Sequence, residues 1–566
     1  MKLRFGELQE NIPSSWIENE NKKNHIAVHY NNLGNGVFGF QTAQDLFDKT
    51  VIIDPVPTRV WGSYFGGDGE EYGRMKADRN NNMYLFGYTS STNNVATAGT
   101  FQENITDGYD AFIIKMNKEG KRIWGTYYGN KYFDYTGGVD FYQNFNVYAG
   151  ILSEKPNPAY PFNVNYYYPK IIFLKLNPSG NLLKAKEIGS ETGDPTYGPY
   201  FDHTDINDLK LLNNKAYIIG ATRVSGFGTP GSYQENFNGI FDGFLCRFDN
   251  LTADLDYFTY AGANGATDLY TIFNADSSGI EIMGATRAID FQMINPFQAT
   301  NNQNYSIGGN NGLYLKFSES GNLIKSSYLG GQQSYYFPTA QRFGNDVMFG
   351  AKMQTQKKFC YYLVDTVTNT IKDYKEVDAY NINGIIYIDR HRNIYTSGQA
   401  DNDRPWITLL TTPDAYLPKI GKYSSVYYTK YDINFQRVWS TFYQGNGGTQ
   451  MGMITKDYDE YLYLWGMSSR NFTGIATPNT FQQTTSATSN DMYIAKFADC
   501  QSNINVSFTP TCIGQNLQLS ASGGANYEWF GPNGFYSTQQ NPIISNAQAI
   551  HSGEYFVKMN GGQSCG

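Results

Sequence analysis

NMYLFGYTSS (Asn82–Ser91), GTFQ (Gly99–Gln102) and DAFIIKMN (Asp110–Asn117) together decide how this chain folds. In DAFIIKMN, Phe112, Ile114 and Met116 fall on one side and Ala111, Ile113 and Lys115 on the other. That period of two, rich in aromatic and β-branched residues, is the signature of a strand. Outward from it, the same phrases return. NMYLFG is followed by FNVYAG, KAYIIG, GIEIMG, NDVMFG, NIYTSG and EYLYLWG, which place glycines at 87, 150, 220, 284, 350, 398 and 466. DAFIIKMN returns as KIIFLKLN, DGFLCRFD, NGLYLKFS, KFCYYLVD, VYYTKYD and DMYIAKF. Its basic position falls at Lys115, Lys175, Arg247, Lys316, Lys430 and Lys496, with Leu363 in the fifth copy. A fixed period means an array of similar units, each burying its apolar faces against its neighbours.

Each unit reads as four antiparallel strands. One carries the glycine and one the basic residue. A third, WGTYYGN or its variants, follows a turn such as KEGKR (Lys118–Arg122), PSGNL (Pro178–Leu182) or ESGNL (Glu319–Leu323). Glycine supplies the positive φ that such hairpin turns need. The fourth fills the run before the glycine, as in EYGRMKAD (Glu71–Asp78). Four strands per unit predict propeller blades, and seven copies predict a seven-bladed β-propeller.

These residues resemble the SBBP-type β-propeller repeat of secreted bacterial proteins. The best copy runs WGSYFGG (Trp61–Gly67), DRNNNMYLFGYTSS, GTFQ, DAFIIK; the next best is WSTFYQG (Trp439–Gly445), YLYLWGMSS, NTFQQ, DMYIAKF. Copies three to six drift, and the sixth lacks a W-x-T-Y opening. The last copy has no W-x-T-Y strand after Phe497, whereas a spare one, TRVWGSYFGG (Thr58–Gly67), precedes the first. Supplying it to the last blade closes the ring and removes an open edge, at a loop cost that grows only logarithmically with length.

Composition agrees with an all-β protein: 47 Tyr, 37 Phe and 58 Gly among 566 residues, with 17% charged. Mean hydropathy is −0.48, and no apolar run approaches the ~18 residues needed to span a bilayer. A net charge of −8 is the wrong sign for nucleic acid. The expected partners therefore exclude nucleic acid and membrane insertion.

The expected division is 1–57, a partial N-terminal β-rich domain; 58–500, the propeller; and 501–566, an immunoglobulin-like β-sandwich. MKLRFGELQE lacks a signal-peptide core, and the strand-like runs that follow end in VIIDP (Val51–Pro55). In SBBP-type proteins a longer β-rich region with such an ending precedes the propeller, so Met1 reads as an internal methionine. The last segment resembles an immunoglobulin-like module of bacterial surface proteins: Leu517 and Leu519 on a second strand, Trp529 in the core, and Tyr555 of SGEY at the tyrosine-corner position. Val557 stands where the antibody-type cysteine would be. Cys512 and Cys565 flank the module, and a bridge between them would add roughly 3–5 kcal/mol on the chain-entropy model; the alternative is two free thiols. Cys246 and Cys360 read as buried strand thiols, and the partner of Cys500 stays open.

Chemistry is sparse. His25, His29, His203, His391 and His551 are scattered. His25 and His29 share a face of one alternating run, without a third ligand. FDHTD (Phe201–Asp205) sets His203 between two aspartates, in a loop where polar turn residues are routine. DRNNN (Asp78–Asn82) lacks the Gly and terminal Glu of a calcium hand and reads as the turn of the repeat. No C-x-x-C pair, G-x-S-x-G elbow or phosphate loop is present. The expectation is no catalytic residue, no cofactor and no metal site.

Two function classes follow. The favoured one is a non-catalytic, secreted or cell-surface binding and adhesion scaffold, whose propeller loops recognise a glycan or protein ligand. SEKPNPAYPFNVNYYYP (Ser153–Pro169) is one insertion suited to such contact, or to packing across a blade edge. The rival is an extracellular propeller hydrolase or lyase acting on polysaccharide. The resemblance further implies export from Bacteroidetes-type bacteria, often by type IX secretion, within a longer chain of several domains.

Overall fold

The computed structural model describes residues 2–3, 6–7, 14–19, 22–26, 28–34, 37–42, 51–54, 57–106, 108–130, 133–142, 144–156, 167–189, 204–301, 310–331, 335–353, 358–378, 387–401, 410–412, 415–486, 488–498, 505–509, 511–522, 524–553 and 555–562. Within them the protein is all-β. Seven four-stranded antiparallel sheets follow one another between Thr58 and Ala498. The first contains Glu71–Ala77, Met83–Thr89, Asp110–Met116 and Arg122–Tyr128. The next five repeat that order of first, glycine, basic and outer strand.

The alternation read in DAFIIKMN has a direct counterpart. Phe112, Ile114 and Met116 join a cluster with Tyr463, Trp465, Met492 and Ile494 of the seventh sheet. Ala111 and Ile113 join Val139, Val147, Ile151 and Ile172 of the second. The strand is therefore buried on both faces. One such cluster lies between every consecutive pair of sheets, and the cluster around Phe112 joins the seventh to the first. At ~25 cal/mol per Å² of apolar surface, these seven layers are the main source of cohesion.

Closure follows the register expected from the spare W-x-T-Y copy. Thr58–Phe65 forms the outer strand of the seventh sheet, pairing with Asp491–Ala498 from Met492↔Phe65 to Ala498↔Thr58. The glycine column has a steric cause: a Cβ on Gly87 would lie 2.0 Å from the Tyr72 carbonyl oxygen, and one on Gly220 1.7 Å from that of Asp205. Side chains have no room there.

In five sheets the T-F-Q segment covers the outer edge. Thr97 N donates to Gly125 O and Tyr127 N to Gln102 O in the first sheet, and Tyr260 N to Gln234 O in the third. The outer strands of the second and fifth sheets, Leu182–Ile188 and Thr370–Asp378, are largely exposed instead. The insertion at 153–169 is partly strand: Val147–Pro156 and Tyr167–Leu176 form one long hairpin, with the residues between them outside the described set.

Two three-stranded sheets make up the C-terminal region, and Leu519 and Ala521 of one share a core with Tyr527 and Trp529 of the other. Tyr555 Oη donates to the His551 carbonyl at 2.7 Å. In the N-terminal region, Lys22–His25 and Val28–Gly34 belong to different sheets. The expectation that His25 and His29 share a face of one run is thereby corrected: the alternation there is interrupted by a strand break.

Candidate functional site

The repeated polar residues are engaged inside the ring. Asp78 accepts from Asn80 N, Asn82 N and Asn82 Nδ2, so DRNNN is the turn it was expected to be. Asp389 does the same for His391 N and Asn393 N. The basic column meets these turns and a tyrosine ring. Lys496 Nζ lies 3.1 Å from Asp457 Oδ2 and 4.0 Å from the Tyr461 ring centroid. Lys175 Nζ donates to Asn250 O of the next sheet at 2.9 Å, and Lys115 packs over Tyr84. Burial holds Lys115 and Lys175 below the ordinary lysine range.

Around the axis the first strands are stitched together by polar bonds. Lys76 pairs with Asp140 at 3.0 Å, and Asp140 accepts from Leu211 N at 2.8 Å. Arg74 Nη1 reaches Asn207 O at 2.5 Å, and Asn207 Nδ2 donates to Asp268 Oδ1 at 2.9 Å. Tyr270 and Tyr336 meet edge to face beside them. Asp205 belongs to the strand Thr204–Leu212 and accepts from Tyr135 Oη. It therefore leaves the loop in which FDHTD was read; His203 lies outside the described residues.

A different constellation sits at the closing junction. Asp491 opens the basic strand of the seventh sheet and Glu71 the first strand of the first sheet. Both are 0% exposed. Glu71 Oε1 accepts from Thr89 Oγ1, Ser91 Oγ and Gly67 N. Asp491 Oδ2 accepts from Gln482 Nε2 at 2.8 Å and Ser486 N at 2.7 Å. Glu71 Oε2 and Asp491 Oδ1 have no hydrogen-bond partner. Burial pushes Glu71 up to about 8, against the bonds from Ser91 and Thr89 and with the charge of Asp491 adding. Burial likewise pushes Asp491 up to about 6. Nothing local in the sequence signals this meeting, because the two acids come from opposite ends of the ring.

An open groove of about 720 Å³ runs beside the exposed outer strand of the fifth sheet, lined by Lys375, Glu376, Tyr431, Asn434, Phe435 and Arg437. Phe435 stacks on Tyr361 with centroids 3.9 Å apart, and Lys375 Nζ stands 5.5 Å from the same ring.

The remaining sequence candidates are dispersed. His391 is half-buried, 3.7 Å from Glu460, and held low by burial. His551 Nδ1 accepts from Gln548 N. Cys246 and Cys360 are buried, and burial raises both thiols. Cys512 is exposed; Cys565 and Cys500 lie outside the described residues. Among the described residues no three His, Cys, Asp or Glu cluster as metal ligands, and no helix is long and apolar enough to cross a membrane.

No family model matches the chain, and no curated protein is similar to it. Solved structures similar to it include the Dos1 propeller (10% identity, 77% of this chain and 94% of that one, TM-score 0.36). The β-propeller domain of the Trilobed protease from Pyrococcus furiosus is similar at 10% identity, over 74% and 97% of the two chains, TM-score 0.36. A protein of unknown function from Dyadobacter fermentans is similar at 9% identity, over 78% and 100%, TM-score 0.38. The class defined by the sheets is an all-β protein built of propeller-like sheets.

Proposed function

We propose that this chain is a seven-bladed, SBBP-type propeller flanked by a partial β-rich segment (1–57) and an immunoglobulin-like module (501–566), and that it works as an exported, non-catalytic binding scaffold. The observation that carries the reading is the internal engagement of the repeated side chains. The basic column and the Asx turns are bonded within their own sheet, as Lys496 to Asp457 and Asn80 N to Asp78, or to the next one, as Lys175 to Asn250 O, so recognition falls on what differs from copy to copy. The groove beside Phe435 is one such place, with an aromatic ring and both charges along its wall. Glycans and polar peptides suit that chemistry.

The enzyme alternative requires carboxylates open to a sugar ring. Glu71, Asp242 and Asp491, the acids that burial raises to about 6 or above, are all 0% exposed and closed to such a ring. The test is a glycan array and a panel of extracellular proteins probed with the intact chain. Binding that falls at least tenfold in Lys375→Ala/Arg437→Ala supports the groove. Release of new sugar ends from a polysaccharide, without turnover-independent binding, would replace the scaffold by the enzyme.

Extracellular address and the Cys512–Cys565 bridge belong to the same proposal, since disulfides persist where the surroundings oxidise. Mass spectrometry of the non-reduced protein is expected to recover a peptide pair linking the two cysteines. Quantitative alkylation of Cys512 without prior reduction would sink the bridge.

A further inference from the structure

We infer that the junction closing the ring is a divalent-cation site, built for calcium, in which Glu71 and Asp491 supply the charged ligands. Two buried oxygens carry the inference. Glu71 Oε2 and Asp491 Oδ1 belong to side chains with no solvent exposure, and neither oxygen has a hydrogen-bond partner. Both lie 2.6 Å from one point, the position a Cβ on Gly66 would occupy. They are therefore no further apart than twice that distance. Calcium takes oxygen ligands at about 2.3–2.6 Å, so two oxygens within that bound are close enough for one ion to bridge.

A second acid pair at the same register shows what a self-sufficient junction looks like. Between the first and second sheets, Asp110 and Asp134 open the corresponding strands, and Asp110 stands against Gly129 as Asp491 stands against Gly66. There, Thr106 Oγ1 donates to Asp110 Oδ1 at 2.8 Å, while Gln102 Nε2 and Thr106 N donate to Oδ2. Asn130 gives its backbone N to Asp134 Oδ2 and its side-chain amide to Oδ1. At the closing junction Gly67 replaces Asn130, and the Ser486 hydroxyl contacts Thr488 instead. The side-chain donors are missing where the two orphan oxygens stand.

Two buried carboxylates without a basic partner are costly unless a cation or protons neutralise them. Neither acid makes an ion pair among the described residues. Two neutral oxygens belong to the same junction, the Gly66 carbonyl, which accepts from Asn94 Nδ2, and Gln482 Oε1, which accepts from Gly66 N. Carboxylate ligands without histidine or cysteine beside them favour calcium over zinc, which prefers nitrogen and sulfur. Entry is by the Gly67–Glu70 loop, whose Asp68 and Glu70 side chains are exposed and draw cations inward.

The test uses the intact chain, stripped with chelator and titrated with calcium or magnesium. The expected result is one calcium bound per chain by equilibrium dialysis and a melting temperature raised by about 3 °C or more at saturation. Terbium in the same site should give tyrosine-sensitised luminescence that calcium displaces. Glu71→Gln and Asp491→Asn should each abolish the shift and the luminescence, while Asp242→Asn, which alters a lone buried acid, should keep both. Absence of calcium binding in the unaltered chain would overturn the site and leave the pair neutralised by protons. A calcium shift that survives both Glu71→Gln and Asp491→Asn would overturn it equally. If either variant fails to fold, dialysis and terbium displacement on the unaltered chain still decide, since magnesium competing as well as calcium would also overturn it.

Discussion

Lys496 concentrates what the repeat asks of a single residue. Its ammonium is 5% exposed on the side chain, paired with the fully buried Asp457 and set against two tyrosine rings. Removing one partner of a buried pair leaves an uncompensated charge, at a cost of about 3–5 kcal/mol, whereas neutralising both is far milder. Leu363, at the equivalent place in the fifth sheet, packs among apolar neighbours, so the site accepts a side chain without charge. Lys496→Met is expected to destabilise the protein by about 3 kcal/mol, and Lys496→Met/Asp457→Asn to recover most of that loss in denaturant melts. Equal destabilisation by both variants would mean that packing, not charge, sets the cost. Asp242 supplies a pH dependence. Burial lifts it from 3.8 to about 6, so the folded state holds a proton that the unfolded chain releases. Its stabilising contribution is complete below pH 4 and is lost as pH rises through 6, on the order of 2–3 kcal/mol. Asp242→Asn should flatten the stability profile between pH 4 and 6 in thermal melts and gain most above pH 6.

At the scale of elements, Thr58–Phe65 matters out of proportion to its length. It covers the basic strand of the seventh sheet and brings Trp61 and Phe65 into the cluster shared with the first sheet. Trp61 Nε1 also donates to Lys118 O at 2.9 Å. A chain lacking residues 1–67 should melt at least about 10 °C lower and bind dyes that report exposed apolar surface. An unchanged melting curve would show that the ring does not depend on closure. This strand was legible because the W-x-T-Y phrase is local and occurs once too often before the first unit. The bare outer strands of the second and fifth sheets were legible only in part. LLKAKEI and TIKDYKEVD lack the phrase, yet nothing local says that these two strands stay exposed. The His25–His29 run was misread because alternation continues through a strand break, and period two does not mark where pairing changes partner.

For the whole molecule, the sequence carried the sheet order because the units repeat local phrases, a glycine on one strand and a basic residue on the next, recurring at a near-constant spacing. It did not carry the meeting of Glu71 with Asp491, nor the axial contacts of Arg74, because those depend on how the ring returns upon itself. The closing pair has a mechanical consequence. Thr58 and Ala498 are register partners, so the chain enters and leaves the ring at the same end of one antiparallel pair. Tension applied between the flanking segments would load those hydrogen bonds one after another, as a zipper is opened, instead of shearing them together. Under force the seventh sheet should therefore yield first, with Met492↔Phe65, the end nearest the buried acids, the last rung to part.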